Sequence, residues 1–387
     1  MFKIQTLNNI SVKGLERLPR DRYEVASDIS SPDAILVRSA VMHDMTLPPS
    51  VKAIARAGAG TNNIPVAKLS ERGIPVFNAP GANANAVKEL VLAGMLIAAR
   101  NLMPAWQFAR AQTGSDEDIH KAVEAGKKRF VGYELPGRTL GVVGLGAIGV
   151  EVCNAALALG MNVVGYDPDI TVERAWKLSS SVQQALSIDD LLRRGDFITF
   201  HVPLVAATRG LINEARLPLM KSGAVVLNFS REGVVDDAAV VRALDAGRLY
   251  AYVCDFPGNL LKDHPRVVTL PHLGASTREA EENCAVMAVD QLREYLEDGN
   301  IRNSVNFPNI RLPRTEGYRL AVVNSNVPDM LGQISHLLGR AGLNINHMLN
   351  ESRGALAYTL LDVNAPIGAD TLAALGAIQG VLSVRAV

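Results

Sequence analysis

The sequence predicts an α/β protein with two doubly wound parallel sheets and a smaller α+β domain at its carboxyl end. Three observations support this prediction. One apolar run ends in closely spaced glycines that open a helical pattern. Short apolar runs, each followed by a Gly-, Asn- or Ser-rich segment, recur from residue 34 to residue 277. From Tyr318 onwards the rhythm changes to longer strands around two helices. Alternation of strands and helices favours parallel sheets, whereas the tail favours a separate α+β unit.

Bulk composition limits the classes of protein to be considered. A chain of 387 residues exceeds one typical hydrophobic core, so two or three domains are expected. The Lys+Arg and Asp+Glu counts are 39 each, which removes the electrostatic argument for nucleic acid or an anionic membrane as a partner. A hydrophobic content of 48% supports sizeable cores.

The cysteines and the hydropathy pattern favour a cytoplasmic protein. Cys153, Cys254 and Cys284 are scattered and form no metal-binding spacing, so neither a disulfide nor a metal site is expected. The amino-terminal residues lack the pattern of a signal peptide, and no uncharged apolar run approaches 18 residues.

The first part of the chain is predicted to form an α/β domain whose sheet binds a ligand at one edge. The predicted strands 34–37, 51–56 and 74–77 lead into Arg38-Ser39, into the loop AGAGTNNI (57–64) and into NAPGANANA (78–86) respectively. Ligands bind at the carboxyl ends of parallel strands, where these segments lie. A long helix is predicted over 87–100, leading out of this domain.

Thr139 to Gly149, TLGVVGLGAIG, fits a buried strand followed by the dinucleotide fingerprint G-x-G-x-x-G. Gly144 permits the tight turn, Gly146 lets the backbone approach a pyrophosphate, and Gly149 lets the new helix pack close to the strand. That helix, over 149–159, presents free N–H groups to an anion at its start.

A carboxylate follows the next predicted strand and strengthens the dinucleotide interpretation. The strand MNVVGY (161–166) ends at Asp167, which is 18 residues after Gly149. An acid at this spacing accepts hydrogen bonds from the adenosine ribose and repels a 2′-phosphate, so a Rossmann-like domain binding NAD rather than NADP is predicted. Asp169 adds slightly to that preference.

The segment from 111 to 137 is expected to be irregular and polar. It contains Lys127-Lys128-Arg129 just before the cofactor strand. A solvated surface is the simpler interpretation of these cations, and a role in binding a substrate phosphate is the alternative.

Further strands place chemically useful side chains at the same edge of the sheet. Strands are predicted over 197–202, 224–229, 250–253 and 267–270, and the polar residues that follow the last three are Arg231, Asp255 and His272. Catalytic residues drawn from several strand ends are usual on this architecture. A surface arginine paired with Glu232 and a histidine at a helix start are the simpler alternatives for Arg231 and His272.

The carboxyl-terminal region is predicted to form a separate domain. Residues 318–387 follow the order β-α-β-β-α-β, which is ferredoxin-like. Residues 306–317 are rich in Pro, Asn and Arg and are predicted to be a linker. The remaining divisions are a first domain made of 1–95 and 277–305 and a cofactor domain over 96–276.

Several segments resemble the D-isomer-specific 2-hydroxyacid dehydrogenases, and the resemblance covers essentially the whole chain. The matching motifs are RAGAGTNNI (56–64), NANAVKEL (83–90), GRTLGVVGLGAIG (137–149), HVPL (201–204), NFSREGVVD (228–236), CDFP (254–257) and PHLGAST (271–277). The tail resembles an ACT domain, and PHLGAST followed by such a tail is similar to the phosphoglycerate dehydrogenase branch.

The resemblance implies NAD-dependent oxidation of D-3-phosphoglycerate to 3-phosphohydroxypyruvate, the first step of L-serine biosynthesis. It implies NAD contacts at Ala59, Gly144, Gly146, Ala147, Ile148, Gly149, Asp167, Val202, Phe229, Ser230, Arg231, Asp255, His272, Gly274 and Ala275. It implies substrate contacts at Arg38, Ser39, Ala57, Gly58 and Asn62. A second arginine that is frequent in the family is Ala40 here, so the phosphate must rely on other cations.

The expected chemistry assigns two catalytic roles. A secondary alcohol beside a carboxylate must lose a proton and a hydride. His272 suits the base because an imidazole titrates near the working pH. Arg231 suits the carboxylate because a guanidinium is a planar, two-pronged donor.

Leu260 departs from the family pattern. The family's catalytic glutamate lies five residues after the aspartate matched by Asp255, and Leu260 occupies that position. Asp263 is the nearest acid in sequence, although its spacing differs by three residues. We therefore expect slower catalysis, use of Asp263, or use of an acid from another domain.

The ACT resemblance implies an effector site around Asn324, Asn326 and Asn344. Relatives sensitive to serine carry His at the Asn324 position and Gly at the Asp329 position, so regulation by L-serine and a purely dimer-forming role both remain open. A homodimer or homotetramer is implied by the resemblance.

Two alternative functions remain open from the sequence. One is a glyoxylate or hydroxypyruvate reductase, which the ACT-like tail disfavours and the missing second arginine keeps open. The other is a NAD-sensing protein with weakened catalysis, which only Leu260 favours.

Overall fold

The computed structural model describes all 387 residues and divides into two compact units. The first unit combines Met1–Asn83 with Arg278–Val387, and the second is Ala84–Thr277. No helix is long and apolar enough to cross a membrane.

The chain forms sixteen strands and twelve α-helices. The strands are β1 (Phe2–Leu7), β2 (Tyr23–Ala26), β3 (Ala34–Val37), β4 (Ala53–Arg56), β5 (Val76–Phe77), β6 (Thr139–Val143), β7 (Asn162–Tyr166), β8 (Gln183–Gln184), β9 (Phe197–Phe200), β10 (Ala224–Asn228), β11 (Leu249–Cys254), β12 (Val267–Thr269), β13 (Tyr318–Ser325), β14 (Ile345–Arg353), β15 (Leu356–Val363) and β16 (Val381–Ala386). The helices are α1 (Val12–Leu15), α2 (Val66–Glu71), α3 (Ala84–Ala99), α4 (Leu102–Arg110), α5 (Asp116–Gly126), α6 (Ala147–Ala158), α7 (Val172–Ala175), α8 (Ile188–Arg194), α9 (Asp237–Asp245), α10 (Arg278–Asp298), α11 (Met330–Arg340) and α12 (Ala369–Gly376).

A five-stranded parallel sheet forms the centre of the first unit, with the strand order β2-β1-β3-β4-β5. The central strands β3 and β4 are almost wholly buried because both faces of the sheet are covered. Helix α10 packs on one face through Ala288, Leu292 and Leu296. The order is that of an open doubly wound sheet, so the predicted α/β class is confirmed here.

A seven-stranded parallel sheet forms the centre of the second unit, in the order β12-β11-β10-β9-β6-β7-β8. The chain reverses its direction of progress between β6 and β9, which are neighbours. In open α/β sheets the ligand binds in the crevice at such a switch point. The predicted Rossmann-like arrangement is confirmed, and the fingerprint glycines lie at its switch point.

The boundary between the first two domains lies earlier than residue 95. Helix α3 buries Val87, Val91 and Met95 in the core of the seven-stranded sheet, and the second unit accordingly begins at Ala84. The sequence analysis assigned most of this helix to the first domain. Helical periodicity identifies an apolar face, but it does not say against which sheet that face packs.

The segment 111–137 is more regular than expected. Helix α5 begins with a capping box, in which the Ser115 hydroxyl accepts from the N–H of Asp118 and the Asp118 carboxylate accepts from the N–H of Ser115. The sequence Ser-Asp-Glu-Asp carries this signal, which the sequence analysis did not use.

The tail forms a four-stranded antiparallel sheet in the order β14-β15-β13-β16. Helices α11 and α12 cover one face, where Leu320 and Val322 are buried. The predicted β-α-β-β-α-β order of the tail is present in the structure.

The other face of the tail sheet packs on the first unit. Val323, Tyr358 and Leu360 share a core with Leu292 and Leu296 of α10. The predicted linker takes part in this packing, since Phe307, Ile310 and Leu312 are buried. The tail is thus an integral part of the first unit, and of the predicted linker only residues 313–317 are continuously exposed.

Candidate active site

The turn between β6 and α6 is shaped by three glycines with different surroundings. Gly144 has φ 91°, and a Cβ there would lie 2.6 Å from the carbonyl oxygen of His201. A Cβ on Gly149 would lie 1.9 Å from the carbonyl oxygen of Gly144. A Cβ on Gly146 would meet nothing within 4 Å. The first and last glycines therefore allow the backbone to close, whereas Gly146 faces open space at the switch point.

The start of α6 is available to an anion. Gly146 is its N-cap residue and supplies no side-chain hydrogen bond, so the first N–H groups of the helix, at Ala147 and Ile148, are not capped by its side chain. Unpaired N–H groups and the helix dipole together favour a phosphate at this point.

Asp167 is held in position by two backbone hydrogen bonds. One carboxylate oxygen accepts from the N–H of Leu145 at 2.8 Å, and the other accepts from the N–H of Asp169 at 2.9 Å. The side chain is half-buried, and each oxygen keeps a second acceptor site. The bond to Leu145 ties the carboxylate to the glycine turn, so ribose hydroxyls and the pyrophosphate would be bound by one rigid element.

Asp255 has an unsatisfied carboxylate oxygen. The residue is 1% exposed; its Oδ2 accepts from the N–H of Gly274 at 3.3 Å, and its Oδ1 has no partner. Burial raises the pKa of Asp255, and the nearby His272 opposes that shift. A buried acceptor without a donor destabilises the folded protein, so we expect this oxygen to accept an N–H from a ligand. A carboxamide such as that of nicotinamide supplies one.

These observations show that the residues present fit a dinucleotide. The open space at Gly146, the uncapped helix start, the oriented Asp167 and the unpaired oxygen of Asp255 all lie at carboxyl ends of the seven-stranded sheet.

His272 lies directly after the strand edge with a free imidazole. Its backbone has φ 53°, and its N–H donates to the carbonyl oxygen of Asp255 at 3.1 Å. The ring is exposed, packs edge-on against Phe256 with centroids 5.2 Å apart, and makes no hydrogen bond. The left-handed backbone is uncommon for a residue other than glycine, and such positions concentrate at functional sites.

No carboxylate of the 256–266 loop orients this histidine. Leu260 is 52% exposed, and Asp263 is exposed and paired with Lys262 at 3.0 Å. His264 holds the loop instead, through Asp245 at 3.3 Å. Asp263 therefore does not replace the family's catalytic glutamate, whose position Leu260 occupies.

Arg231 is exposed and forms no ion pair. Its Nη1 donates to the carbonyl oxygen of Ser230 at 2.7 Å, and Glu232 does not pair with it. Buried Asn228 fixes the loop by donating to the carbonyl oxygen of Arg231 and accepting from Ser230. The remaining donors of the guanidinium are thus free for an anionic ligand.

His201 is a further residue of this edge to which the sequence analysis assigned no role. Thr199 lies 3.1 Å from its Nε2, and its Nδ1 is buried without a partner. Burial lowers the pKa of His201 to about 3, so the ring is neutral at physiological pH. The HVPL motif contained it, but only neighbouring Val202 was assigned to the cofactor.

The residues predicted to bind substrate lie at the carboxyl edge of the five-stranded sheet. Arg38 and Ser39 follow β3, and the loop from Ala57 to Asn62 follows β4. Ala59, predicted to contact NAD, belongs to this unit, whereas the other predicted cofactor residues belong to the second unit.

Arg56 is a cation beside Arg38 that the sequence analysis did not assign. Its Nε donates to the carbonyl oxygen of Arg38 at 3.0 Å. A Cβ on Gly58 would lie 2.7 Å from its Nη1, so its guanidinium lies against the predicted substrate loop. The signal was present, because Arg56 opens the RAGAGTNNI motif.

Two of the three cations in the 127–129 segment are engaged locally. Lys127 pairs with Glu124, and the Arg129 guanidinium lies 4.5 Å from the ring centroid of Phe108. These contacts favour the solvated-surface interpretation, and a role in phosphate binding stays a prediction.

The predicted effector residues lie at two ends of the tail sheet. Asn326 donates to the carbonyl oxygen of Gly354, and Asn324 is 2% exposed with an unpartnered Oδ1. The N–H of Asn344 donates to Asn364, at the opposite end of β14. One copy of the chain therefore does not bring Asn344 together with the other two.

Comparison with known proteins gives the following similarities. The family described as D-isomer specific 2-hydroxyacid dehydrogenase, NAD binding domain, matches residues 92–274. The chain is 39% identical over 325 residues to D-3-phosphoglycerate dehydrogenase from Methanocaldococcus jannaschii, covering 81% of this chain and 58% of that protein. It is 32% identical over 349 residues to D-3-phosphoglycerate dehydrogenase from Haemophilus influenzae, covering 87% of this chain and 81% of that protein.

A solved structure has the same fold over most of the chain. It is the NAD+-bound 3-phosphoglycerate dehydrogenase of Entamoeba histolytica, with a TM-score of 0.59 and 24% identity, covering 79% of this chain and 98% of that one. The chain spans little more than half the length of the Methanocaldococcus relative.

Proposed function

The chain belongs to the D-isomer-specific 2-hydroxyacid dehydrogenase family, and we propose that it oxidises D-3-phosphoglycerate to 3-phosphohydroxypyruvate with NAD, the first step of L-serine biosynthesis. The observation that carries the proposal is the set of open groups after β10, β11 and β12: Arg231 without an ion pair, Asp255 with an unpartnered oxygen, and His272 with a free ring. The names of the relatives support phosphoglycerate as the substrate.

The proposed mechanism uses these groups as follows. Bound NAD supplies the hydride acceptor. Arg231 binds the substrate carboxylate and polarises the oxygen of the neighbouring carbon through its two-pronged donors. His272 accepts the hydroxyl proton as the C2 hydride leaves, so that a carbonyl forms. Asp255 would hold the cofactor by accepting a hydrogen bond from its carboxamide.

Phosphate binding is proposed at the other unit's sheet edge, where Arg38 and Arg56 lie together. A glyoxylate or hydroxypyruvate reductase is the second candidate, and one observation favours it. Arg38 is already paired with Glu281, which reduces the positive charge available to a phosphate.

Assays of NAD reduction by D-3-phosphoglycerate and D-glycerate, and of NADH oxidation by hydroxypyruvate and glyoxylate, test the proposal. We expect the highest kcat/KM with D-3-phosphoglycerate, and a loss of about 100-fold or more in kcat for His272→Gln. Preference for hydroxypyruvate or glyoxylate would support the second candidate. NAD binding with no turnover of any substrate would support the NAD-sensing alternative.

We further propose that the tail binds L-serine between two copies of the chain. The outer strand β14 is exposed at the sheet edge. Antiparallel pairing of two β14 strands would bring Asn344 of one copy near Asn326 of the other. The unpartnered oxygen of Asn324 supports a polar ligand nearby. A homodimer or homotetramer in the cytoplasm is part of this proposal; the three free, buried cysteines support a reducing compartment.

Titration calorimetry with L-serine tests the tail site, with D-serine and Asn344→Ala as controls. Binding of L-serine that is lost in Asn344→Ala supports the site. Absence of binding at millimolar L-serine leaves assembly as the function of the tail.

A further inference from the structure

Two arginines and one glutamate determine the charge of the substrate edge in the first unit. Arg38 follows β3, Arg56 ends β4, and the Nε of Arg56 donates to the carbonyl oxygen of Arg38 at 3.0 Å. Glu281, in the first turn of α10, is hydrogen-bonded to the Nη2 of Arg38. Glu281 therefore places a carboxylate directly on one of these two guanidinium groups.

The three charged groups all influence one buried thiol. Cys284 lies one turn after Glu281 on α10. Burial raises the pKa of Cys284; Arg56 and Arg38 oppose the shift, and Glu281 adds to it.

The Arg38–Glu281 pair can open. Its side chains are 43% and 42% exposed, and ion pairs with this degree of exposure contribute little free energy. An anion that forms two hydrogen bonds with the guanidinium of Arg38 must displace Glu281 or be repelled by its charge. The proposed function assigns the substrate phosphate to Arg38, so the phosphate is the group that would meet Glu281.

We propose that Glu281 is a specificity-determining residue that competes with the substrate phosphate for Arg38. It weakens binding of phosphorylated 2-hydroxy acids and leaves binding of unphosphorylated ones unchanged. This inference rests on the proposed function, because it assigns the phosphate to the Arg38 side.

The chain offers a matched control on the same helical turn. Glu282 pairs with Lys13 of α1 and makes no bond to Arg38. Glu281→Gln and Glu282→Gln remove the same charge from adjacent positions and keep the side-chain shape. A long-range electrostatic effect would be equal in the two variants, whereas competition for Arg38 affects only the first.

The experiment measures inorganic phosphate binding by calorimetry, together with KM for D-3-phosphoglycerate and inhibition by D-glycerate. For Glu281→Gln we expect about three- to fivefold tighter phosphate binding and a KM for D-3-phosphoglycerate lowered by the same factor. The kcat, the D-glycerate inhibition constant and all values for Glu282→Gln should stay within about twofold of those of the unmodified chain.

Three results would separate this inference from the proposed function. Unchanged or weaker phosphate binding in Glu281→Gln overturns the inference, whatever the enzyme oxidises. Equal effects of the two variants also overturn it. Tighter phosphate binding in a chain that does not oxidise D-3-phosphoglycerate keeps the role of Glu281 and overturns the proposed function.

Discussion

Single residues at the sheet edge of the second unit divide into fixed and open groups. Asp167 and Asn228 have backbone partners that hold their orientation. Arg231 forms no ion pair, and the ring of His272 makes no hydrogen bond. One oxygen of Asp255 has no hydrogen-bond donor. Fixed groups shape a binding site, and open groups are those a ligand completes.

The buried carboxylate of Asp255 predicts a trade-off between stability and cofactor binding. Its native pKa is raised by burial, so the unfolded state releases its proton first as pH increases. The free energy of unfolding therefore falls as pH rises through this range and stays lower above it. Asp255→Asn removes that cost. We expect the NAD-free variant to be more stable than the unmodified chain at pH 7, with a smaller difference at pH 4, in urea unfolding.

The same variant should bind NAD about tenfold more weakly, because a neutral acceptor replaces a charged one. Asp263→Asn is the control, since Asp263 is exposed and paired only with Lys262. A neutral-pH stability for Asp255→Asn equal to or below that of the unmodified chain would contradict this account.

Leu260 gives the second prediction at this scale. Since no local carboxylate orients His272, a new one at the family's position should raise kcat. We expect Leu260→Glu to increase kcat about tenfold or more, and Leu260→Gln, of equal size without charge, to change it little. Steady-state rates of NAD reduction measure both. Equal rates for the two variants would indicate that an acid elsewhere already serves His272.

At the scale of elements, two glycines between β6 and α6 have different roles: one is needed for stability and the other for NAD binding. Gly149 is close to backbone in the folded protein, whereas Gly146 faces open space. Gly149→Ala should lower the free energy of unfolding without NAD by about 1–3 kcal/mol, because its Cβ overlaps the carbonyl of Gly144. Gly146→Ala should leave that stability unchanged and raise KM for NAD about tenfold, because the methyl group fills the pyrophosphate space.

Thermal unfolding without NAD and NAD titration distinguish the two glycine variants. Gly146 has φ −70°, which alanine adopts without strain, so its variant is the matched control for the backbone effect. A loss of stability in Gly146→Ala equal to that in Gly149→Ala would refute the distinction.

At the scale of the whole chain, the tail completes helix α10. Arg385 donates to the carbonyl oxygens of Leu296 at 3.0 Å and Tyr295 at 2.7 Å, and the Tyr358 hydroxyl donates to that of Gly299 at 2.6 Å. The carbonyls of Tyr295 and Leu296 lie in the last turn of the helix and that of Gly299 directly after it; the Tyr295 carbonyl also accepts from the N–H of Gly299 at 2.9 Å. The amino end of the same helix carries Glu281, so one element joins the tail to the substrate edge.

Arg385→Met should therefore destabilise the first unit and not the tail alone. We expect a loss of about 1–3 kcal/mol in the free energy of unfolding, because the Leu296 carbonyl loses the donor Arg385 and the Tyr295 carbonyl loses one of its two donors. Urea unfolding measures it, with Arg340→Met, at an exposed position on α11, as the control. If the tail were an independent tethered domain, the transition of the first unit would not move.

The fold was largely predictable from local patterns, and the two errors in packing have one cause. The strand β3 was predicted with the bounds found, and the order of elements in the tail was predicted correctly. The placement of α3 and the packing of Phe307 were not, because an apolar face does not identify its partner. The helix α5 was missed although its capping residues were readable.

The candidate site was predictable where residues follow strands of one sheet. Asp167, Arg231, Asp255 and His272 needed only the rule that parallel strands present their carboxyl ends at one edge. Arg56 and His201 lie in the motifs RAGAGTNNI and HVPL, but the motifs alone did not indicate a role for them. Their importance depends on which groups lie beside them, which spacing does not report.

By itself the sequence determined the order of strands and helices, the glycine turn and the acid that favours NAD, because these depend on neighbours along the chain. Only the tertiary structure decided that the tail caps α10, that Asp255 lacks a donor and that Glu281 meets Arg38. Glu281 and Arg38 are far apart in sequence, and their charges interact because α10 packs on the five-stranded sheet. Such pairings arise from packing between distant segments, and no local pattern encodes them.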